Sequence, residues 1–170
     1  MKIAIQRVTI VPRRFVSSWV VLAIAAWSGC APPSAQEPIA SAAEVETAFA
    51  AFAAAWEQED LEAAVGAFVP DAIVFDPVPP GKFDGIEEIR GWTSGSFDAL
   101  EQISITVEDL QIQTAGPVAW ITAQYRFEAL QNGEPSGDVG NLSMVWVRQP
   151  DGVYKATLFH ASPLPEAPSD

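Results

Sequence analysis

Cysteine and histidine are nearly absent from this chain, with one of each in 170 residues. A single thiol closes no intramolecular disulfide, and one thiol plus one imidazole falls short of the three or four ligands of a zinc site, so no metal is expected. Positive charge is also scarce: nine basic side chains stand against 22 acidic ones, a formal net charge of −13. Four of the nine (Lys2, Arg7, Arg13, Arg14) precede Cys30, so five cations face all 22 acids from there on, a formal −17. Such a surface repels phosphate backbones and anionic headgroups, which argues against nucleic acid and against electrostatic membrane docking; neutral or cationic partners are expected. The one long apolar run, residues 15–27, has about 13 residues where a spanning helix needs ~20.

What the chain does have is apolar and aromatic. Hydrophobic residues make up 49%, with nine Phe and six Trp, a composition that folds rather than staying disordered. The length suits one domain with a true core and is short for two.

A basic stretch over residues 1–14, the apolar run and then Ser28-Gly29-Cys30 follow the layout of an export signal. The segment resembles the lipobox of bacterial lipoproteins, with Trp27 where an aliphatic residue is usual. The resemblance implies that residues 1–29 are a signal peptide and that Cys30 is acylated and becomes the new N-terminus. It also implies an envelope protein facing the periplasm, in contact with membrane only through the lipid. Residues 30–41, rich in Pro, Ala and Ser, read as a flexible tether, and residues 166–170 as a tail.

Between them, residues 42–165 carry the signals of one α+β domain. Val45, Phe49, Phe52 and Trp56 recur at helical spacing over residues 42–59. Asp60 caps a short second helix through Leu61, Val65 and Phe68, which Pro70-Asp71 ends. Residues 72–75 form a short strand, residues 78–83 a Pro- and Gly-rich loop, and Asp84 or Gly85 opens a third helix through Ile86, Ile89 and Trp92. After Leu100 the period becomes two. Strands are expected from Ile103 toward Ile112 with a kink near Asp109, over 118–130, over 139–148 and over 153–160. Gly116-Pro117, Asn132-Gly133 and Asp151-Gly152 mark the turns between them. N-terminal helices packed on one face of a curved antiparallel sheet is the layout this order gives.

Four stretches in this order resemble the SnoaL-like and ketosteroid-isomerase-like members of the nuclear transport factor 2-like cone-fold superfamily. They are residues 56–63, residues 68–77 with Phe75-Asp76-Pro77, residues 83–90 with Phe83-Asp84-Gly85, and the closing strand from Tyr154 to Ser162. The resemblance implies a sheet curled around a deep, largely apolar cavity, no cofactor, and a homodimer through the outer sheet face. Large apolar residues on both faces of the strands fit a second covered face: Trp120 opposes Ile121, Tyr125 and Phe127, and Val145 and Val147 oppose Leu142, Met144 and Trp146.

Asp76 matches the carboxylate base of the steroid isomerases, a role that burial in an apolar pocket strengthens; aspartate before proline is equally a turn cap. The donors those enzymes use for an enolate oxygen fall on Phe52 and Met144, which donate nothing, so steroid isomerase chemistry itself is not expected. His160 is either Asp76's partner in proton transfer or a hydrogen-bonded rim residue, and Leu158 shares its strand face. Arg126, on the face of Trp120 and Gln124, either meets a ligand carboxylate or Asp76 in the cavity or is solvated. Trp56, Trp92 and Trp120 are pocket walls or plain core. The expected ligand set is thus Phe52, Trp56, Trp92, Trp120, Arg126, Met144 and Leu158, around a small apolar or carbonyl-containing molecule. A SnoaL-like isomerase, cyclase or lyase and a purely dimerising module are the alternatives to simple binding.

Overall fold

The computed structural model describes residues 39–165; the signal-peptide segment, Cys30, most of the tether and the tail lie outside the described residues. Three helices, α1 (Ala42–Glu57), α2 (Leu61–Gly66) and α3 (Ile86–Ala99), are followed or interrupted by six strands: β1 (Phe68–Phe75), β2 (Lys82–Asp84), β3 (Glu101–Ala115), β4 (Val118–Gln131), β5 (Glu134–Arg148) and β6 (Tyr154–Pro163). The strands form one open sheet in the order β2-β1-β6-β5-β4-β3, antiparallel except for the parallel β1–β6 pair.

Local chemistry sets each boundary. The Ser41 hydroxyl accepts the Glu44 N–H to open α1, and the Asp60 carboxylate accepts Ala63 N–H at 3.0 Å to open α2. Gly85, at φ 83, turns the chain into α3, where Glu88 accepts the Asp84 N–H at 2.8 Å and Glu87 and Glu88 place negative charge on the first turn. Asn132 and Gly133, at φ 55 and 80, give the β4–β5 hairpin a two-residue turn with both residues left-handed, which matches the twist of the flanking strands. Asp109, at φ 51, lies where the β3–β4 register shifts, so the expected kink is a bulge.

Three local expectations are corrected. Phe68 begins β1 rather than ending α2: it sits opposite Ala156 of β6, and the register shift before Ile73 accommodates Pro70, which has no N–H to pair. Within the expected loop, Lys82–Asp84 pairs with Ile73–Phe75 as β2. And β5 starts at Glu134, five residues before Val139.

The helices pack on the concave face. Val45, Phe49, Phe52 and Trp56 of α1 and Ile89 and Trp92 of α3 are buried against Ile121, Met144, Trp146 and Phe159 of the sheet. Fully burying one such side chain contributes roughly 1.5–3 kcal/mol. Two long-range hydrogen bonds hold α1 at its ends: the Ser41 N–H donates to the Tyr154 hydroxyl at 2.8 Å, and Glu57 accepts the Ile105 N–H at 3.0 Å.

Candidate functional site

The packing of α1 and α3 against the sheet stops short of filling the concave face. A cavity of about 900 Å³ remains, large enough for a drug-sized molecule. Its walls are aromatic: Phe52 and Trp56 from α1, Phe83 from β2, Trp92 from α3, Phe127 from β4 and Phe159 from β6. Trp92 is the hub, stacked on Phe83 with centroids 5.7 Å apart, 4.9 Å from Trp56 and 5.7 Å from Phe159.

Among the polar side chains of this wall, three act on one another: Asp76 from the loop after β1, Tyr125 from β4 and Asp138 from β5. Asp76, just past the end of β1, turns the Pro-rich loop by accepting the Val78 N–H at 2.9 Å, and it lines the cavity at the same time. Burial raises its carboxyl above the ordinary 3.8; the Val78 N–H and the Trp92 side chain oppose the rise, and the nearby charge of Asp138 adds to it. Tyr125 on β4 lies over Gly140 of β5, so close that a Cβ at 140 would stand 2.7 Å from the tyrosine hydroxyl. Its phenol is pushed well above its usual range, first by burial, then by the charge of Asp138 and the hydrogen bond to it, and last by Asp76. Tyr125 is therefore a permanent O–H donor in ordinary buffers. Asp138, on β5 opposite Phe127, completes the cluster.

Of the expected site residues, Asp76, Phe52, Trp56 and Trp92 line this cavity. Met144 faces the same side but is wholly buried in the core and absent from the cavity wall. Trp120, Arg126, Leu158 and His160 are corrections. On β4 the buried residues are Ala119, Ile121 and Ala123, with Tyr125 and Phe127 continuing their face into the cavity, so Trp120 and Arg126 lie on the outer face. On β6 Phe159 and Ala161 point inward, which turns Leu158 and His160 outward. His160 is exposed, its ring edge-on to Phe75 at 6.0 Å. It meets Asp76 only at a second, shallow pocket of about 300 Å³ on the outer side.

Sequence reasoning missed Tyr125 and Asp138 as site residues. The signal for Tyr125 was its shared strand face with Phe127. Asp138 lies one residue before the strand that the alternating pattern predicts from Val139, so no strand face is assigned to it by sequence. Among the described residues no group of three or more His, Cys, Asp or Glu side chains is placed to hold a metal ion, and no helix is long and apolar enough to cross a membrane.

An open, mostly antiparallel sheet with helices on its concave face around an apolar, carboxylate-bearing cavity is the layout of the cone-fold class. The family model for the SnoaL-like domain matches residues 45–166, and the chain belongs to that family. Among solved structures the chain is similar to a candidate dehydratase of the NTF2-like family from Streptomyces avermitilis, at 23% identity and a TM-score of 0.67 over 74% of this chain and 96% of that one. It is also similar to a ketosteroid isomerase-like protein from Erwinia carotovora atroseptica (15% identity, TM-score 0.65, 74% and 97% covered) and to the CaMKII hub of S. rosetta (21%, 0.62, 75% and 99%). At these identities the likeness speaks for the fold. No curated protein matches the chain.

Proposed function

We propose that this chain is an exported SnoaL-like lipoprotein of the cell envelope whose cavity binds a small, largely apolar molecule by a polar end held at Asp76, Tyr125 and Asp138. The observation that carries the reading is the cavity itself: about 900 Å³ with a largely aromatic wall in which Asp76, Tyr125 and Asp138 stand close enough to act on one another. A few placed polar groups in an apolar pocket are the usual design of a small-molecule site. Trp56 and Trp92 stand in the wall, so their emission reports occupancy. Titration with a panel of apolar compounds differing in their polar group is expected to give saturable quenching for at least one; a flat response to all rejects the binding role. For the envelope address, the full chain is expected in the detergent phase of a phase-separating extract, and Cys30→Ser in the aqueous phase.

A second reading, proton transfer with Asp76 as base, draws on one further observation: a carboxyl held above its ordinary pKa faces the same cavity as a phenol that keeps its proton. In that case Asp76→Asn abolishes turnover with the fold intact. Homodimerisation through the outer sheet face belongs to the same proposal, since a cone-fold hub is among the structures the chain resembles.

A further inference from the structure

The polar end of the cavity is unbalanced in charge. Asp76 and Asp138 are acceptors when ionised, and a ligand that brings its own donors together with a positive charge satisfies both. None of the five cations of residues 30–170 lines the cavity. Arg90 is paired with Glu62, Lys82 bonds Asp84 at 2.7 Å, and Arg126 is exposed on the outer face. Glu88 adds a third carboxyl at the rim. Nor do the acids converge as the ligands of a metal ion would, since no such cluster exists among the described residues. Beside the carboxylates stand Trp92, stacked on Phe83, and Tyr125, electron-rich ring faces that attract a desolvated cation.

We infer that the molecule held in this cavity is an apolar organic cation, an alkyl- or cycloalkyl-ammonium whose hydrocarbon part fills the aromatic wall and whose charged nitrogen lies between Asp76 and Asp138. This rests on the binding role proposed above and names its ligand class. The nitrogen donates to the two carboxylates, and its charge compensates a pair that otherwise face each other's field in a half-buried site.

Three probes sharing one hydrocarbon cage separate the possibilities: adamantylammonium, adamantanol and adamantanecarboxylate, titrated into the purified full chain with tryptophan emission and calorimetry as readouts. The ammonium is expected to bind at least about tenfold tighter than the alcohol, the scale of one charge-assisted contact, with no saturable binding of the carboxylate. Asp138→Asn and Asp76→Asn are each expected to shrink the ammonium-to-alcohol ratio severalfold, while Glu128→Gln, which removes the same charge from the outer face of β4, leaves it unchanged. Alcohol or carboxylate binding as tightly as ammonium overturns the cation assignment and leaves the binding role standing. So does a ratio that falls as far in Glu128→Gln as in Asp138→Asn, which would assign the preference to net charge rather than to the site. No saturable response to any of the three overturns both.

Discussion

Asp76 serves two structures at once, since its carboxyl group stops the Pro-rich loop through the Val78 N–H and stands in the wall of an apolar cavity. The first role was legible in the Asp-Pro pair. The second was legible only by resemblance, because burial depends on helices that approach from elsewhere in the chain. The two roles conflict energetically, and the conflict can be measured. A carboxyl raised above its ordinary 3.8 by burial favours the folded state while protonated. That contribution is complete below the unfolded value and is lost as pH climbs through the folded one, so at neutral pH the ionised Asp76 works against folding. Asparagine keeps the acceptor for Val78 and removes the charge. Asp76→Asn is therefore expected to melt higher than the parent at about pH 7, by a few degrees at most because the group is only partly buried, and to lose that advantage near pH 3. Equal offsets at the two pH values would mean that burial of the charge carries no cost.

At the scale of elements, the helices and turns followed from local chemistry. Apolar residues at helical spacing gave α1 and α3, and Asn132-Gly133 and the kink at Asp109 gave the hairpin and the bulge. Phe68 was misplaced because Leu61, Val65 and Phe68 match a helical stripe equally well; pairing with β6, almost 90 residues away, decides the matter, and no local signal encodes it. Which face of β4 and β5 is the inner one was likewise undetermined, since both carry large apolar residues. The glycines show how the same residue type does opposite work. On β5, a Cβ at Gly140 would lie 2.4 Å from the Ser162 carbonyl and 2.7 Å from Tyr125, whereas at Gly95 in α3 it would meet nothing within 4 Å. Gly140→Ala is thus expected to destabilise by about 1–3 kcal/mol through overpacking and to displace Tyr125 from the site. Gly95→Ala is expected to stabilise by roughly 0.5–1 kcal/mol through lower backbone entropy in the unfolded chain. Urea melts of the two variants check both signs, and a Gly140→Ala protein as stable as its parent would show that β5 and β6 yield locally.

For the described domain, the sheet has one face covered by helices around the cavity and another that carries an uncovered apolar strip. Its strand register lines up Ile73, Leu158, Val145 and Trp120 across β1, β6, β5 and β4, an unbroken apolar row. All four are only partly buried, and Phe75 stands exposed beside His160 in the neighbouring row, which continues through Ser143 and Thr122. A sheet whose second face met only water would carry polar residues in such a row. An apolar strip flanked by polar residues such as Arg126, Gln124 and Thr122 has the layout of an association surface. Trp120 and Leu158 belong to this strip on the outer face and not to the cavity wall. A two-fold pairing of this face with itself would bring the central row of each protomer together and leave charges such as Arg126 and Glu128 at the edge. Trp120→Glu places a charge in the middle of the strip without touching the concave core. Analytical ultracentrifugation is expected to find a dimer for the parent chain and a monomer for Trp120→Glu, with cavity binding of the adamantyl probes unchanged. A parent that sediments as a monomer at every accessible concentration would leave the apolar row to a different partner, and a Trp120→Glu dimer would move the interface to another face.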